Sequence, residues 1–203
     1  AGLFWGAGGS TSSTTDPDGV HWATRTQIKI KLNNGTYQSL TADYSLDNTT
    51  GYHSYHCYKN ITNIIASAGT NGRFTVANMP LLNDNGTTKN RWGGWQIVIV
   101  YKNELQPLRN LTVFNGLSNV STSATATNIP ISGFLTPPTG PVNFELGVLA
   151  YDGDRGINAG SGTSNSTCSG TYKGDSLKFK GASSFVAISD VIHPANDVFN
   201  STI

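Results

Sequence analysis

Charge is scarce in this chain. Charged residues make up 12% of its 203 positions, about half the share usual in soluble proteins, and its only glutamates are Glu104 and Glu145. The net charge is +1 and no Lys/Arg cluster occurs. A nucleic-acid binder, which must neutralise many phosphates, is therefore excluded, and so is docking on an anionic membrane surface. No run approaches the roughly 20 apolar residues that a membrane-crossing helix requires. The uncharged opening AGLFWGAGG lacks the basic start and the apolar length of a secretory signal.

Catalytic signatures are missing too. The chain has no Gly-x-Ser-x-Gly elbow, phosphate-binding loop or dinucleotide fingerprint. Glycosidases need two carboxylates facing across a cleft, and only Glu145 with Asp152 or Asp154 offers a pairing. His53-x-x-His56-Cys57 has no second His/Cys pair at finger-like spacing, so surface histidines beside a disulfide are expected rather than zinc. The expectation is a protein without catalysis.

What fills the chain is 23 glycines with abundant Asn, Ser and Thr, a polar, turn-rich make-up typical of exported β proteins. The two cysteines, Cys57 and Cys168, would close a long loop if they bridge, which the chain-entropy model values at about 4–5 kcal/mol. Two unpaired thiols remain the alternative. Eight Asn-x-Ser/Thr sequons occur, at Asn34, Asn48, Asn60, Asn85, Asn110, Asn119, Asn165 and Asn200. In an archaeal or eukaryotic source several would carry glycans, with the turn positions Asn34, Asn85 and Asn165 best placed.

The apolar pattern has period two. In VHWATRTQIKIKL, Val20, Trp22, Thr24, Thr26, Ile28, Ile30 and Leu32 share one face, and Asn33-Asn34-Gly35 turns the strand. TYQSLTADYSL is expected to return as its partner. Further strands are expected in RFTVANM, WQIVIVYK, NLTVFNGL, IPISGFL, VNFELGVLAY, DSLKFKG and SSFVAIS, with the doubly apolar Ile97–Val100 at the centre of a two-layer fold. YHCYKNITNIIASAG, with Tyr58, Ile61, Ile64 or Ile65, and Ala68 at helical spacing and Gly69 at its end, reads as one short helix. Together these give an all-β chain, an antiparallel β-sandwich or jelly-roll-like fold with one short helix. Residues 1–19 form an apolar strand, Leu3-Phe4-Trp5, on a Ser/Thr tether, and residues 20–203 form a single β-sandwich domain.

Asp152-Gly153-Asp154-Arg155-Gly156 sets two carboxylates on one side of a turn, as calcium loops do, although the EF-hand spacing fails. With exposed Trp92, Trp95 or Tyr151 it would make a calcium-assisted carbohydrate-binding module that recognises cell-surface glycans. The same loop also reads as a turn in which Arg155 pairs with an aspartate.

GLFWG, GRFTVANM, WGGWQIVIVYKNELQPLRNLTVFNGL, SGFLTPPTGPVNFELGVLAYDGDRG, GDSLKF and SDVIHPANDVFNSTI, in that order, resemble a β domain of secreted, surface-anchored repeat proteins of bacteria and archaea. The resemblance covers about two-thirds of the chain and implies a cell-surface or adhesin-like module. Composition is also similar to that of glycosylated archaeal extracellular filament subunits, the threads of thermophiles. Where the resembling domains run on, this chain stops at Ile203, which implies a sheet completed from outside. A donor strand at Leu3, Phe4 and Trp5, inserted into a neighbouring copy, would complete it and build a homopolymer. The same strand folded back into its own sheet is the alternative.

Overall fold

The computed structural model describes residues 1–10, 23–49, 53–68, 72–81, 92–118, 120, 126–151, 153, 175–181, 184–195 and 197–200. It is mostly β, with antiparallel sheets and, among the described residues, one helix of seven residues, as the sequence pattern implies. The chain divides into two compact units, residues 1–82 with 93–148 and residues 83–92 with 149–203.

The first unit holds two sheets. One is four-stranded in the order β4-β5-β1-β7, made from β1 (Gly2–Ser10), β4 (Tyr44–Asn48), β5 (His53–Asn60) and β7 (Trp92–Val98). The other, in the order β3-β2-β6, is made from β2 (Gln27–Leu32), β3 (Gln38–Thr41) and β6 (Phe74–Ala77). Leu3, Trp5 and Ala7 of β1, Tyr55 and Cys57 of β5, and Ile28 and Ile30 of β2 meet in one core, so the sheets face each other as a sandwich. Ile61 and Ile65, at the entry and on the inner side of α1 (Thr62–Ala68), close one end.

Local chemistry explains the frame. In β2 only Ile28 and Ile30 are fully buried, while Gln27 and Lys29 face water, the half-buried alternation read from the sequence. The Asn33-Asn34-Gly35 turn forms: Gly35 N–H donates to Leu32 O at 3.0 Å, and Asn33 takes the left-handed φ of 49° that asparagine tolerates. The Asn33 side-chain oxygen then accepts the Arg73 N–H at 2.8 Å, tying this turn to the start of β6.

Four expectations are corrected. TYQSLTADYSL is not one returning strand: β3 pairs with β2, whereas β4 crosses to the other sheet and pairs with β5. The break falls at Asp43, whose carboxylate accepts the Asn60 N–H at 2.8 Å and the Lys59 ammonium at 2.5 Å. The expected helix begins only at Thr62, because His53–Asn60 is a strand. β7 lies at the end of its sheet, with β1 and β5 at the centre. Residues 99–118 and 126–150 contain no regular helix or strand, and Val142, Phe144, Leu146 and Val148 are exposed rather than packed. Alternation marks a face that can be buried; what covers it is a tertiary matter.

In the second unit, β8 (Leu177–Lys180) and β9 (Phe185–Ile188) form an antiparallel hairpin. Asp175 accepts the Phe199 N–H at 2.9 Å, and Asn200 Nδ2 donates to Ile192 O at 2.7 Å. Asp190 bonds the His193 ring and accepts the backbone N–H groups of His193 and Ile192, which together hold its carboxyl down at about 2.

Candidate functional site: the seat of the first strand

β1 is an interior strand of its sheet. It pairs antiparallel with β5, Gly2 opposite Asn60 through Gly8 opposite Ser54, with a bulge before Ser10, and it is hydrogen-bonded to β7 on its other side. Leu3 and Trp5 are both 0% exposed, and Phe4 is buried. The three candidate donor-strand residues thus lie inside the chain's own sheet.

The two faces of β1 have different chemistry. On the inner face the Trp5 indole N–H donates to the Arg25 carbonyl at 3.0 Å. The same carbonyl receives the Cys57 thiol at 3.5 Å, from the residue directly opposite Trp5. Arg25 sits in the turn at 23–26, closed by the Gln27 N–H on Thr24 O. Its guanidinium grips both oxygens of Asp47 on β4, at 2.8 and 2.7 Å. This two-pronged bond is the first reason the guanidinium is held protonated beyond its ordinary range.

On the outer face Phe4 stacks against His56 at 5.9 Å and leans on Tyr58 at 5.1 Å, and Tyr58 in turn stacks with Tyr44. His56 lies opposite Gly6, so an aromatic ring covers a residue that has none. Asn115 bonds the His56 ring at 2.8 Å through its oxygen and the Tyr44 hydroxyl through its amide nitrogen, placing part of NLTVFNGL over this face. Burial lowers the His56 pKa, and the Asn115 bond opposes that less strongly. A cavity of about 160 Å³ opens beside the strand, lined by Ala1, Gly2, Phe4, Tyr58, Val98, Val100 and Val113.

His53 and His56, expected at the surface, are buried residues of the central strand β5. Among the described residues no group of three or more His, Cys, Asp or Glu side chains is placed to hold a metal. Asp152 and Asp154, the calcium candidates, lie outside the described residues. Trp92 and Tyr151 stack on each other at 4.6 Å and 16°, so each covers a face of the other that a sugar ring would need, while Trp95 is 42% exposed. Cys57 is a free buried thiol, pushed up to about 12 by burial, and its expected partner Cys168 lies outside the described residues.

Of the sequons, Asn34 and Asn110 are exposed and Asn48 is half-buried. Asn60 is exposed, with its side-chain oxygen accepting the Thr62 N–H at the start of α1. Asn85, Asn119 and Asn165 lie outside the described residues. Asn200 departs from the expectation. It is 4% exposed, and the nitrogen that would carry a glycan is the donor to Ile192 O, so this fold leaves no room for a sugar there.

No protein-family model, curated protein or solved structure matches the chain. Among the described residues no helix is long and apolar enough to cross a membrane.

Proposed function

We propose that this chain is an extracellular structural protein, a subunit of a cell-surface filament or adhesin whose copies are joined by β-strand complementation. The observation that carries the proposal is the position of β1. It is the first strand, it sits between β5 and β7, and its side chains supply the centre of the core. Among the described residues the strand that follows β1 is β2, which belongs to the opposite sheet. Residues 11–22, fully extended, reach about 40 Å. A copy of β1 supplied by a neighbour would reproduce each ladder bond, the Trp5–Arg25 bond and the Phe4 stack. This is the geometry in which an identical element is exchanged between protomers, and head-to-tail exchange that does not close generates a filament.

Composition supports the location. The scarcity of charge, the Gly/Asn/Ser/Thr content and the exposed sequons Asn34 and Asn110 suit a protein outside the cell. The resemblance to secreted surface domains points the same way. The partner is a second copy of this chain, and the role requires no catalytic group.

Deleting residues 1–9 tests the proposal. The truncated chain is expected to lose assembly in negative-stain images and to regain order when the peptide AGLFWGAGG is added. Filaments that form unchanged without residues 1–9 would refute it.

A further inference from the structure

The hairpin of the second unit presents two edges of different character. β8 carries Lys178 and Lys180, and lysine is the residue with which natural sheets guard an edge against unwanted pairing. β9 is Phe185-Val186-Ala187-Ile188, without a charged or polar side chain, and all four of its residues are exposed. Val186 is 63% and Phe185 56% exposed, and among the described residues no strand other than β8 pairs with β9. A two-stranded hairpin is marginal alone, and further strands or packing supply its stability.

The register says what kind of neighbour fits. Phe179 lies opposite Val186 and Leu177 opposite Ile188, so these four share one face; Lys178, Lys180, Phe185 and Ala187 share the other. The Lys180 ammonium lies over the Phe185 ring at 5.5 Å, a contact across the hairpin and not along its outer edge. That outer edge offers a row of backbone N–H and C=O groups, which another extended strand can pair in full. Uncharged side chains flank the row on both faces, so the incoming strand has to be apolar as well. A second β9 has these properties. Turned about a two-fold axis normal to the sheet, it runs antiparallel, presents donors where the first presents acceptors, and keeps the apolar face of one hairpin continuous with that of the other.

The lysines select this pairing over its rival. Two β8 edges brought together about a two-fold axis would set lysines against lysines, which destabilises a sheet. Pairing through β9 leaves the two lysine-bearing strands three strand spacings apart, about 14 Å, beyond the roughly 8 Å over which salt screens charge. No sequon falls within residues 166–199, so no sugar is attached to the hairpin itself.

We propose that the outer edge of β9 is a docking surface for a second copy of this chain, formed by antiparallel pairing of β9 with itself into a four-stranded sheet, β8-β9-β9-β8. The contact goes beyond strand complementation and does not rest on it, since β1 belongs to the first unit. Four residues from each copy make a small contact, well under the roughly 1,000 Å² of a stable interface. The pairing is therefore reversible in dilute solution and strengthened wherever copies are already held together.

The test uses the full chain carrying Phe185→Cys, Val186→Cys, Ala187→Cys or Ile188→Cys in turn. Each variant is oxidised over a range of protein concentrations, and disulfides are assigned by peptide mass mapping, which separates them from any at Cys57 or Cys168. A strand paired antiparallel with its own copy places a single residue on the two-fold axis. One of the four positions is therefore expected to form a symmetric disulfide in a yield that rises with concentration, while its neighbours do not. Val191→Cys supplies the background, because Val191 is fully exposed and lies beyond the strand. The yield at the axial position should exceed that background about tenfold, the factor that roughly 1.4 kcal/mol of pairing supplies. Symmetric disulfides at no position above background, or at neighbouring positions alike, overturn the proposal. No variant in this series touches β1, so the outcome stands apart from that of deleting residues 1–9.

Discussion

Truncating Leu3 to alanine measures how much of the core depends on β1. Leu3 is 0% exposed and lies in the cluster with Trp5, Ile28 and Ile61, so its loss removes apolar burial and leaves a cavity between well-packed neighbours. Buried Leu→Ala changes cost about 2–5 kcal/mol, and β1 is hydrogen-bonded on both sides and cannot readily collapse into the space. With a urea slope of about 2 kcal/mol per molar, the unfolding midpoint should fall by roughly 1–2.5 M. Leu108→Ala is the control. That side chain is 94% exposed, and its loss should shift stability by no more than about 0.5 kcal/mol. Urea titrations of both variants followed by tryptophan fluorescence make the comparison. Run at several protein concentrations, they also separate the two sources of β1: a strand from a neighbour makes the midpoint concentration-dependent, and one from the same chain does not. Equal midpoints for Leu3→Ala and Leu108→Ala would refute the placement of β1 in the core.

Three further outcomes are expected. The Cys57 thiol, buried and pushed up to about 12, should resist iodoacetamide at pH 8 in the folded protein, where about one molecule in ten thousand carries the thiolate, and react promptly after unfolding; rapid labelling of the native protein would contradict its position. Because burial lowers the His56 pKa, the unfolded chain takes up that proton first. Stability should therefore be full above about pH 6.5 and decline as pH falls from there towards the folded value, a decline that His56→Gln abolishes, as read by urea titrations across pH. The lowered carboxyls of Asp43 and Asp190 carry the same sign into a second decline below their ordinary value of 3.8. In native material from a source that glycosylates sequons, glycopeptide mass spectrometry should find sugar at Asn34 and none at Asn200, whose amide nitrogen is buried on Ile192 O.

The parts of this fold that were legible from sequence are those with a local cause. Ile28 and Ile30 alternate with charged neighbours, Asn33-Asn34-Gly35 can hardly do anything but turn, and LKFK with FVAI forms a hairpin. The strand β5 was concealed for a physical reason. It sits between β4 and β1 and is buried along most of its length, yet it is written with His53, Ser54 and His56, polar residues that mark a surface in sequence, and of these the His56 ring is held by the Phe4 stack and the Asn115 bond. Its last aromatic, Tyr58, stands in helical register with Ile61 and Ile65 of the following helix, so the periodicity runs across a strand–helix junction. The apolar run Leu3-Phe4-Trp5 announced a strand seeking a partner; with β5 unrecognised, that partner had no visible candidate. The receptor for Trp5 left no mark at all. Arg25 acts through its carbonyl, which every residue possesses, and its side chain matters through Asp47, 22 positions away.

The same geometry defines the energetic problem that strand exchange has to solve. Every contact β1 makes in its own chain it would make again in a neighbour, so the contacts cancel between the closed monomer and the open chain of copies. What remains is the strain in the tether and the concentration of competing strands. A strand joined to its own seat through the chain sees it at an effective concentration of the order of millimolar, which favours closure in dilute solution. Exchange is then favoured where copies are crowded or where the linked form gains contacts that the monomer lacks. Val142, Phe144, Leu146 and Val148 already stand about half exposed in the first unit, and burying the remaining half gives about 0.8–1.5 kcal/mol each. All four covered between neighbouring copies would contribute about 3–6 kcal/mol, against the roughly 4 kcal/mol that separates a millimolar local strand from a micromolar free one. The strand supplies specificity and the register; the net drive to assemble has to come from surface outside its seat.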